Sequence, residues 1–223
     1  SIPKKKFVIK KFDIINRSKF FNLLLKYKPY AVFNLAAETH VDRSIDHPFS
    51  FIENNIIGTF NLLKCSLKFW NNLSKNKKDT FRLIHISTDE VFGSLGEEHK
   101  FNEKSPYMPN SPYSASKASS DHLVRAWNKT YGLPTIITNC SNNYGPWQYP
   151  EKLIPNTILK ICSKEMIPIY GKGNNIRDWL YVKDHIEALL TIAENGEIGN
   201  NYCIGGQNEK TNLQIVEKIC ELT

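Results

Sequence analysis

Tyr113 and Lys117 stand four residues apart in Ser111-Pro112-Tyr113-Ser114-Ala115-Ser116-Lys117, just after a serine and a proline suited to opening a helix. On a helix this spacing puts a phenol and an ammonium on one face. A cation beside a phenol favours the phenolate, drawing a group whose ordinary pKa is about 10 toward use as a base. By itself the spacing equally describes a surface pair. A second cluster, Ser87-Thr88-Asp89-Glu90, closes the apolar run Phe81 to Ile86 and sets two carboxylates side by side. Such a pair is either a turn cap with a solvated neighbour, or a general acid beside a general base whose surroundings push their pKa values apart.

Two further segments pass from apolar to polar in the same way. Phe33 to Ser44 carries Ala36 and Ala37, small enough for a flat ligand to approach the backbone, followed by Glu38, Thr39 and His40. A tightly packed strand-to-helix loop would read identically. Asn139 to Pro146 is polar and contains Gly145. The six histidines show no metal-ligand spacing, so no metal is expected, and His85 inside an apolar run reads as a satisfied core residue.

These clusters need elements to carry them. Phe7 to Ile14, Ala31 to Ala36, Phe81 to Ser87 and Thr135 to Cys140 read as strands. Between them, Ser18 to Lys28, Phe51 to Asn71 and Pro112 to Tyr131 have the three-to-four apolar spacing of helices. That alternation predicts a parallel sheet with crossover helices, where ligands bind beyond the carboxyl ends of the strands. Three of the polar clusters fall at such ends, and the fourth, Ser111 to Lys117, opens the helix that follows one of them. After Gly145 the elements shorten: a helix at Leu153 to Cys162, strands at Ile167 to Tyr170 and Asn201 to Ile204, and helices at Lys183 to Asn195 and Thr211 to Leu222. The expected division is a nucleotide-binding part over 1–145 and a smaller, interleaved lobe over 146–223.

Composition sets bounds on this reading. With 41% hydrophobic and 23% charged residues, the 223-residue chain has the balance of a folded domain. The formal charge of +7 is partly clustered at Lys4, Lys5, Lys6, Lys10 and Lys11 and at Lys75, Lys77 and Lys78, without interleaved aromatics. Solvated surface is the simpler explanation, and no nucleic acid is expected as partner. Five scattered cysteines without a CxxC pair argue against a disulfide framework. No apolar run approaches the roughly 20 residues of a membrane span, and Ser1 to Lys11 has no leader-like apolar stretch, so the expected compartment is the cytoplasm, with no membrane partner.

Taken together, Leu35 to Ile45, His85 to Gly93, Ser111 to Trp127, Thr138 to Pro146, Glu151 to Pro155 and Pro168 to Val182 resemble the extended short-chain dehydrogenase/reductase family, in its dTDP-glucose 4,6-dehydratase branch. The resemblance runs over nearly the whole chain. It implies a Rossmann-like parallel sheet with flanking helices and a small C-terminal substrate lobe. It also implies NAD as cofactor, a lyase cycle that converts a nucleotide-linked glucose to its 4-keto-6-deoxy form for deoxysugar synthesis, and a homodimer built on Ile52 to Trp70 and Ala115 to Trp127. Carried over by motif, Thr88, Asp89, Glu90, Tyr113 and Lys117 would be catalytic. Asp13, Ile14, Leu35, Ala36, Ala37, Thr39, Asn54 and Asn143 would join Tyr113 and Lys117 around NAD. Thr39, Thr88, Asn142, Lys152, Leu153, Pro168, Tyr170, Arg177 and Asn212 would hold the nucleotide-sugar, with Arg177 as diphosphate clamp.

The family pattern opens with a strand and a glycine-rich turn of the GxxGxxG kind that holds the pyrophosphate. The first matching position here lies near Phe7 to Ile14. The N-terminal glycine-loop unit and the C-terminal end of the family pattern are therefore expected to be missing from this chain, and NAD binding by it alone is expected to be weak. An epimerase or decarboxylase on the same scaffold, or an inactive fragment, remain the competing readings.

Overall fold

The computed structural model describes residues 7–94, 100–169 and 171–223; the expectations placed on Lys4 to Lys6, His99 and Tyr170 lie outside them. In chain order the elements are α1 (Arg17–Tyr27), β1 (Ala31–Asn34), α2 (Val41–Asp46), α3 (Pro48–Phe51), α4 (Gly58–Asn71), α5 (Lys75–Thr80) and β2 (Arg82–Thr88). There follow α6 (Pro112–Tyr131), β3 (Thr135–Cys140), β4 (Asn142–Tyr144), α7 (Leu153–Cys162), β5 (Ile176–Tyr181), α8 (Val182–Asn195), β6 (Asn201–Ile204), β7 (Glu209–Thr211) and α9 (Asn212–Leu222). A π-helical stretch, Ile52–Ile57, joins α3 to α4, so the two form one continuous rod.

Four strands make a parallel sheet in the order β1-β2-β3-β6, with helices packed against it: the Rossmann-like arrangement. Its central strand β2 is buried on both sides, with Leu83, Ile84 and His85 at most 1% exposed, as expected where crossover helices cover a parallel sheet. Leu24 from α1, Leu62, Leu63 and Phe69 from α4, Val124 from α6, and Phe81, Leu83, Leu133 and Ile137 around the sheet form the main core. A smaller sheet, β4-β5-β7, lies apart from the first, with β5 parallel to β4 and antiparallel to β7. Among the described residues no helix is long and apolar enough to cross a membrane.

Two expectations need correction. Phe7 to Ile14 is not a strand. Val8 and Ile9 are 62% and 78% exposed, and no ladder among the described residues pairs with this segment, so its β-rich composition has no backbone partner to act on. Ile167 to Ile169 is also irregular, where Pro168 removes a ladder donor. Strand β5 falls where no element was expected; Ile176 and Arg177 at its start are exposed, which hides the alternation of a strand.

Capping fixes where α6 begins. Ser111 accepts from the Ser114 amide while the Ser114 hydroxyl accepts from the Ser111 amide, and Pro112 occupies the first turn. At its far end Gly132 adopts a left-handed conformation at φ 71° and closes the helix. The start of α6 is thus held at the carboxyl ends of β2 and β3, and its inward face carries Tyr113, Lys117 and Asp121.

Candidate active site

Parallel β1, β2 and β3 end at Asn34, Thr88 and Cys140, so the segments following them lie along one rim. After β2 the chain turns sharply. Thr88 caps a 3-10 turn, Asp89–Phe92, its Oγ1 accepting from the Glu90 amide at 3.3 Å and donating to Asp89 Oδ1 at 3.2 Å. The turn is closed by Gly93 at φ 93°, ψ −138°, a conformation nearly reserved for glycine. A Cβ there would stand 2.4 Å from the Met108 carbonyl oxygen.

Tyr113 from α6 reaches the same place. It is 7% exposed, its ring meets Phe51 edge-on at 6.3 Å, and Thr88, Glu90, Cys140 and Asp89 all lie close enough to act on its phenol. Thr88, Asp89, Glu90 and Tyr113, distant in sequence, are therefore brought together. Lys117, 4% exposed, donates from Nζ to the Ile86 carbonyl at 2.7 Å.

The electrostatics separate these groups. Burial, with Glu90 beside it, pushes the Asp89 carboxyl from its ordinary 3.8 to about 6, although Thr88 and Arg177 oppose the rise. Burial also raises Glu90, but there the charges that act are the cations Arg177 and Lys152, which pull it back. Both carboxyls are thus pressed toward their acid forms, and at Glu90 the neighbouring cations oppose the rise. The expected lowering of the Tyr113 phenol by Lys117 is not what the site shows. Burial first, and then Glu90 and Cys140, push the phenol well above its usual range, while the lysine is itself pulled down by burial.

Five of the residues assigned to the cofactor, Asp13, Ile14, Ala36, Ala37 and Asn54, together with Glu38, line a cavity of about 220 Å³ beyond the end of β1. A carboxylate, a carboxamide and two small side chains suit a nucleoside, whose hydroxyls need acceptors and whose base is flat. Leu35, 63% exposed, is not among the residues that line it. Asn143 lies on β4, donating to the Ser141 carbonyl at 3.1 Å and meeting His185 Nδ1 at 2.7 Å.

The residues assigned to the sugar nucleotide are more spread. Lys152 donates to the Thr39 carbonyl at 2.9 Å and, with Arg177 of β5, faces Glu90. Asn142 starts β4 beside Asn143, and Leu153 opens α7 immediately after Lys152. Pro168 and Asn212 fall at another corner, next to Ile169 and Leu213, which both approach Gly173. Among the described residues no hydrogen bond ties these two to the Thr88 cluster. A larger concavity of about 470 Å³, lined by Arg43, Tyr149, Glu151, Lys160 and others, contains none of the expected site residues.

Two buried polar features were not foreseen. Asn55, 1% exposed, grips the loop after β1 through the Glu38 amide at 2.8 Å and the Glu38 carbonyl at 3.0 Å. Asp121, also 1% exposed, gathers polar groups from β2 and β3. The signal for the second was present in Tyr113, Lys117 and Asp121, a polar stripe at successive four-residue steps on one helix.

Comparison with known proteins agrees with this geometry. The family model described as GDP-mannose 4,6 dehydratase matches residues 2–223. The dTDP-glucose 4,6-dehydratase of Xanthomonas campestris pv. campestris is 52% identical over 212 residues, covering 95% of this chain and 60% of the relative. Among solved structures, dTDP-glucose 4,6-dehydratase from Bacillus anthracis in complex with NAD superposes with a TM-score of 0.83 at 43% identity, covering 95% of this chain and 63% of that one. The Streptomyces venezuelae dTDP-glucose 4,6-dehydratase with NAD and TYD bound gives 0.86 at 40% identity, covering 94% and 62%. This chain spans about 60% of the length of the curated relative from Xanthomonas. With a family model matched from its second residue to its last, and a sheet, rim and cavity that fit the same pattern, the chain belongs to the GDP-mannose 4,6 dehydratase family.

Proposed function

We propose that this chain carries the catalytic rim of an NAD-dependent dTDP-glucose 4,6-dehydratase, which turns dTDP-glucose into its 4-keto-6-deoxy derivative for deoxysugar synthesis. The observation that carries the reading is the convergence of Tyr113 and Thr88 on the adjacent Asp89 and Glu90, with Asp89 raised to about 6. NAD, when bound, supplies the acceptor and later the donor of a hydride. Tyr113 takes the hydroxyl proton at carbon 4, Thr88 hydrogen-bonds the same oxygen, and Lys117 provides the positive charge that a phenolate needs. Glu90 removes the proton at carbon 5, acidified by the neighbouring ketone. Asp89 protonates the departing hydroxyl at carbon 6, a role suited to a carboxyl that holds its proton nearer to neutrality than an ordinary aspartate.

On this reading Asp13, Ile14, Leu35, Ala36, Ala37, Thr39, Asn54 and Asn143 serve the cofactor. Asn142, Lys152, Leu153, Pro168, Tyr170, Arg177 and Asn212 serve the nucleotide-sugar, with Thr39 and Thr88 facing it. Residues 1–145 form the NAD-binding part and 146–223 the substrate lobe, with β6 returning to the main sheet. A homodimer through the α3–α4 rod and α6 completes the assembly; Ile52 and Ile57, 46% and 45% exposed, are available to it. The proposed compartment is the cytoplasm, where free thiols such as these five persist.

The test is loss of one water from dTDP-glucose incubated with the protein and NAD, read by mass spectrometry. Tyr113→Phe should cut the rate by about 10²-fold or more. Asp89→Asn with Glu90→Gln should retain reduction of NAD and lose elimination. Turnover to a product that keeps its carbon-6 hydroxyl would favour an epimerase.

A further inference from the structure

We propose that Asp121 is a positioning residue of this site: the buried counter-charge that opposes the Lys117 ammonium through space and ties the Thr88 end of β2 to β3. The inference rests on the reading of Tyr113 and Lys117 as the redox pair and adds a residue outside that pair.

Lys117 is 4% exposed, and its ammonium donates to an uncharged carbonyl, Ile86 O, at 2.7 Å. An ammonium taken out of water with only a carbonyl for company gives up its proton unless a charge opposes the loss. The groups that act on it are Asp121 on its own helix, His85 and the Ile86 carbonyl on β2, and Cys140 on β3, with Tyr113 one turn before it on α6. His85 is kept neutral by burial and by Lys117. The Cys140 thiol is pushed up to about 12 by burial and Asp89, and Tyr113 is raised as well. That leaves Asp121, one turn further along α6, as the anion, and it is the first charge acting against the burial of Lys117.

The surroundings of Asp121 are those of a carboxylate. Oδ2 accepts from Ser87 Oγ at 2.8 Å, Tyr107 Oη at 3.0 Å and Asn139 Nδ2 at 3.4 Å. Oδ1 faces His85 Nε2 at 3.3 Å. Because His85 Nδ1 meets the Asn34 carboxamide nitrogen at 3.0 Å, it accepts there, and the ring proton sits on Nε2, toward Asp121. Burial and Asp121 push the Tyr107 phenol far up, so it stays a donor. Donors from β2, β3 and the approach to α6 thus converge on one carboxyl group. Asn139 also donates to the Thr88 carbonyl at 3.1 Å, so the same assembly fixes the strand end from which Thr88, Asp89 and Glu90 project.

The experiment labels the chain with [ε-13C]lysine, assigns the Lys117 signal by its loss in Lys117→Met, and follows that signal with pH by NMR. In Asp121→Asn the Lys117 midpoint should fall by about one unit or more, a tenfold change in proton affinity, and Asp121→Glu should restore most of it. Tyr107→Phe, which loosens the network but keeps the charge, should leave the midpoint in place. An unchanged midpoint in folded Asp121→Asn overturns the proposal. Should that variant not fold, the parent chain decides: Lys117 charged at pH 7 supports the counter-charge, and Lys117 neutral at pH 7 overturns it. The readout needs no turnover, so a chain that shows the shift yet never removes water from dTDP-glucose would refute the proposed function and leave this inference standing.

Discussion

Replacing Asp89 by Asn should stabilise the folded chain at neutral pH while removing its proposed acid. The carboxyl rises from 3.8 to about 6, first through burial and then through Glu90, and each unit is worth about 1.4 kcal/mol. A folded pKa above the unfolded one means that the native state binds the proton more tightly. Stability is therefore highest below about pH 4 and declines as pH rises toward 6. Above that window the full penalty, about 3 kcal/mol on this arithmetic, is in place. Asp89 sits at a rim that water partly reaches, which discounts the figure to about 1–2 kcal/mol. Asn keeps the acceptor that Thr88 uses at 3.2 Å and carries no charge to bury. Urea unfolding of parent and variant at several pH values between 4 and 8 is the assay. The variant should be more stable at pH 7, and its advantage should shrink toward zero near pH 4. An advantage that is absent at pH 7, or constant with pH, would refute the electrostatic account of the pair.

Two more expectations concern the same rim and the thiols. Gly93→Ala should cost about 2–4 kcal/mol in urea unfolding, combining a disfavoured backbone with the approach to Met108; a variant as stable as the parent would show that the Met108 segment yields freely. With a thiol reagent at pH 8, the exposed Cys162 and Cys220 should react rapidly. Cys65, raised by burial, and Cys140 and Cys203, both pushed up to about 12, should wait for unfolding. Rapid labelling of Cys140 would contradict the enclosure of the site.

How much could be read in advance depended on whether the signal was local. The bounds of α6 were legible because Ser111, Pro112 and Gly132 act within a turn of each end. Strands β2 and β3 were legible because each is an apolar run ended by polar residues, and those ends held Thr88, Asp89 and Glu90. Phe7 to Ile14 misled because strand composition has no effect without a neighbour to pair with. β5 was hidden because a half-exposed strand with charges at its start lacks an alternating pattern. Asp121 and Asn55 went unread because a buried polar residue is recognised by its partners, and Ser87, Tyr107, Asn139 and Ser116 come from elsewhere in the chain.

The π-helical stretch between α3 and α4 places a constraint on chain length. Its wider winding turns Asn55 inward, where the side chain holds Glu38 and Ser116 and the main-chain carbonyl accepts from Ser120 at 2.7 Å. Dropping one residue from 52–57 would restore ordinary winding: five residues at about 100° each turn through nearly the angle of six in the wider coil, so the flanking halves keep their phase while the inward turn at Asn55 is lost. The carboxamide that steadies the floor of the nucleoside-sized cavity would then face the wrong way. Substitutions along this rod can be absorbed one side chain at a time, whereas a one-residue deletion within 52–57 would erase the inward turn at Asn55 and leave the rest of the rod in place.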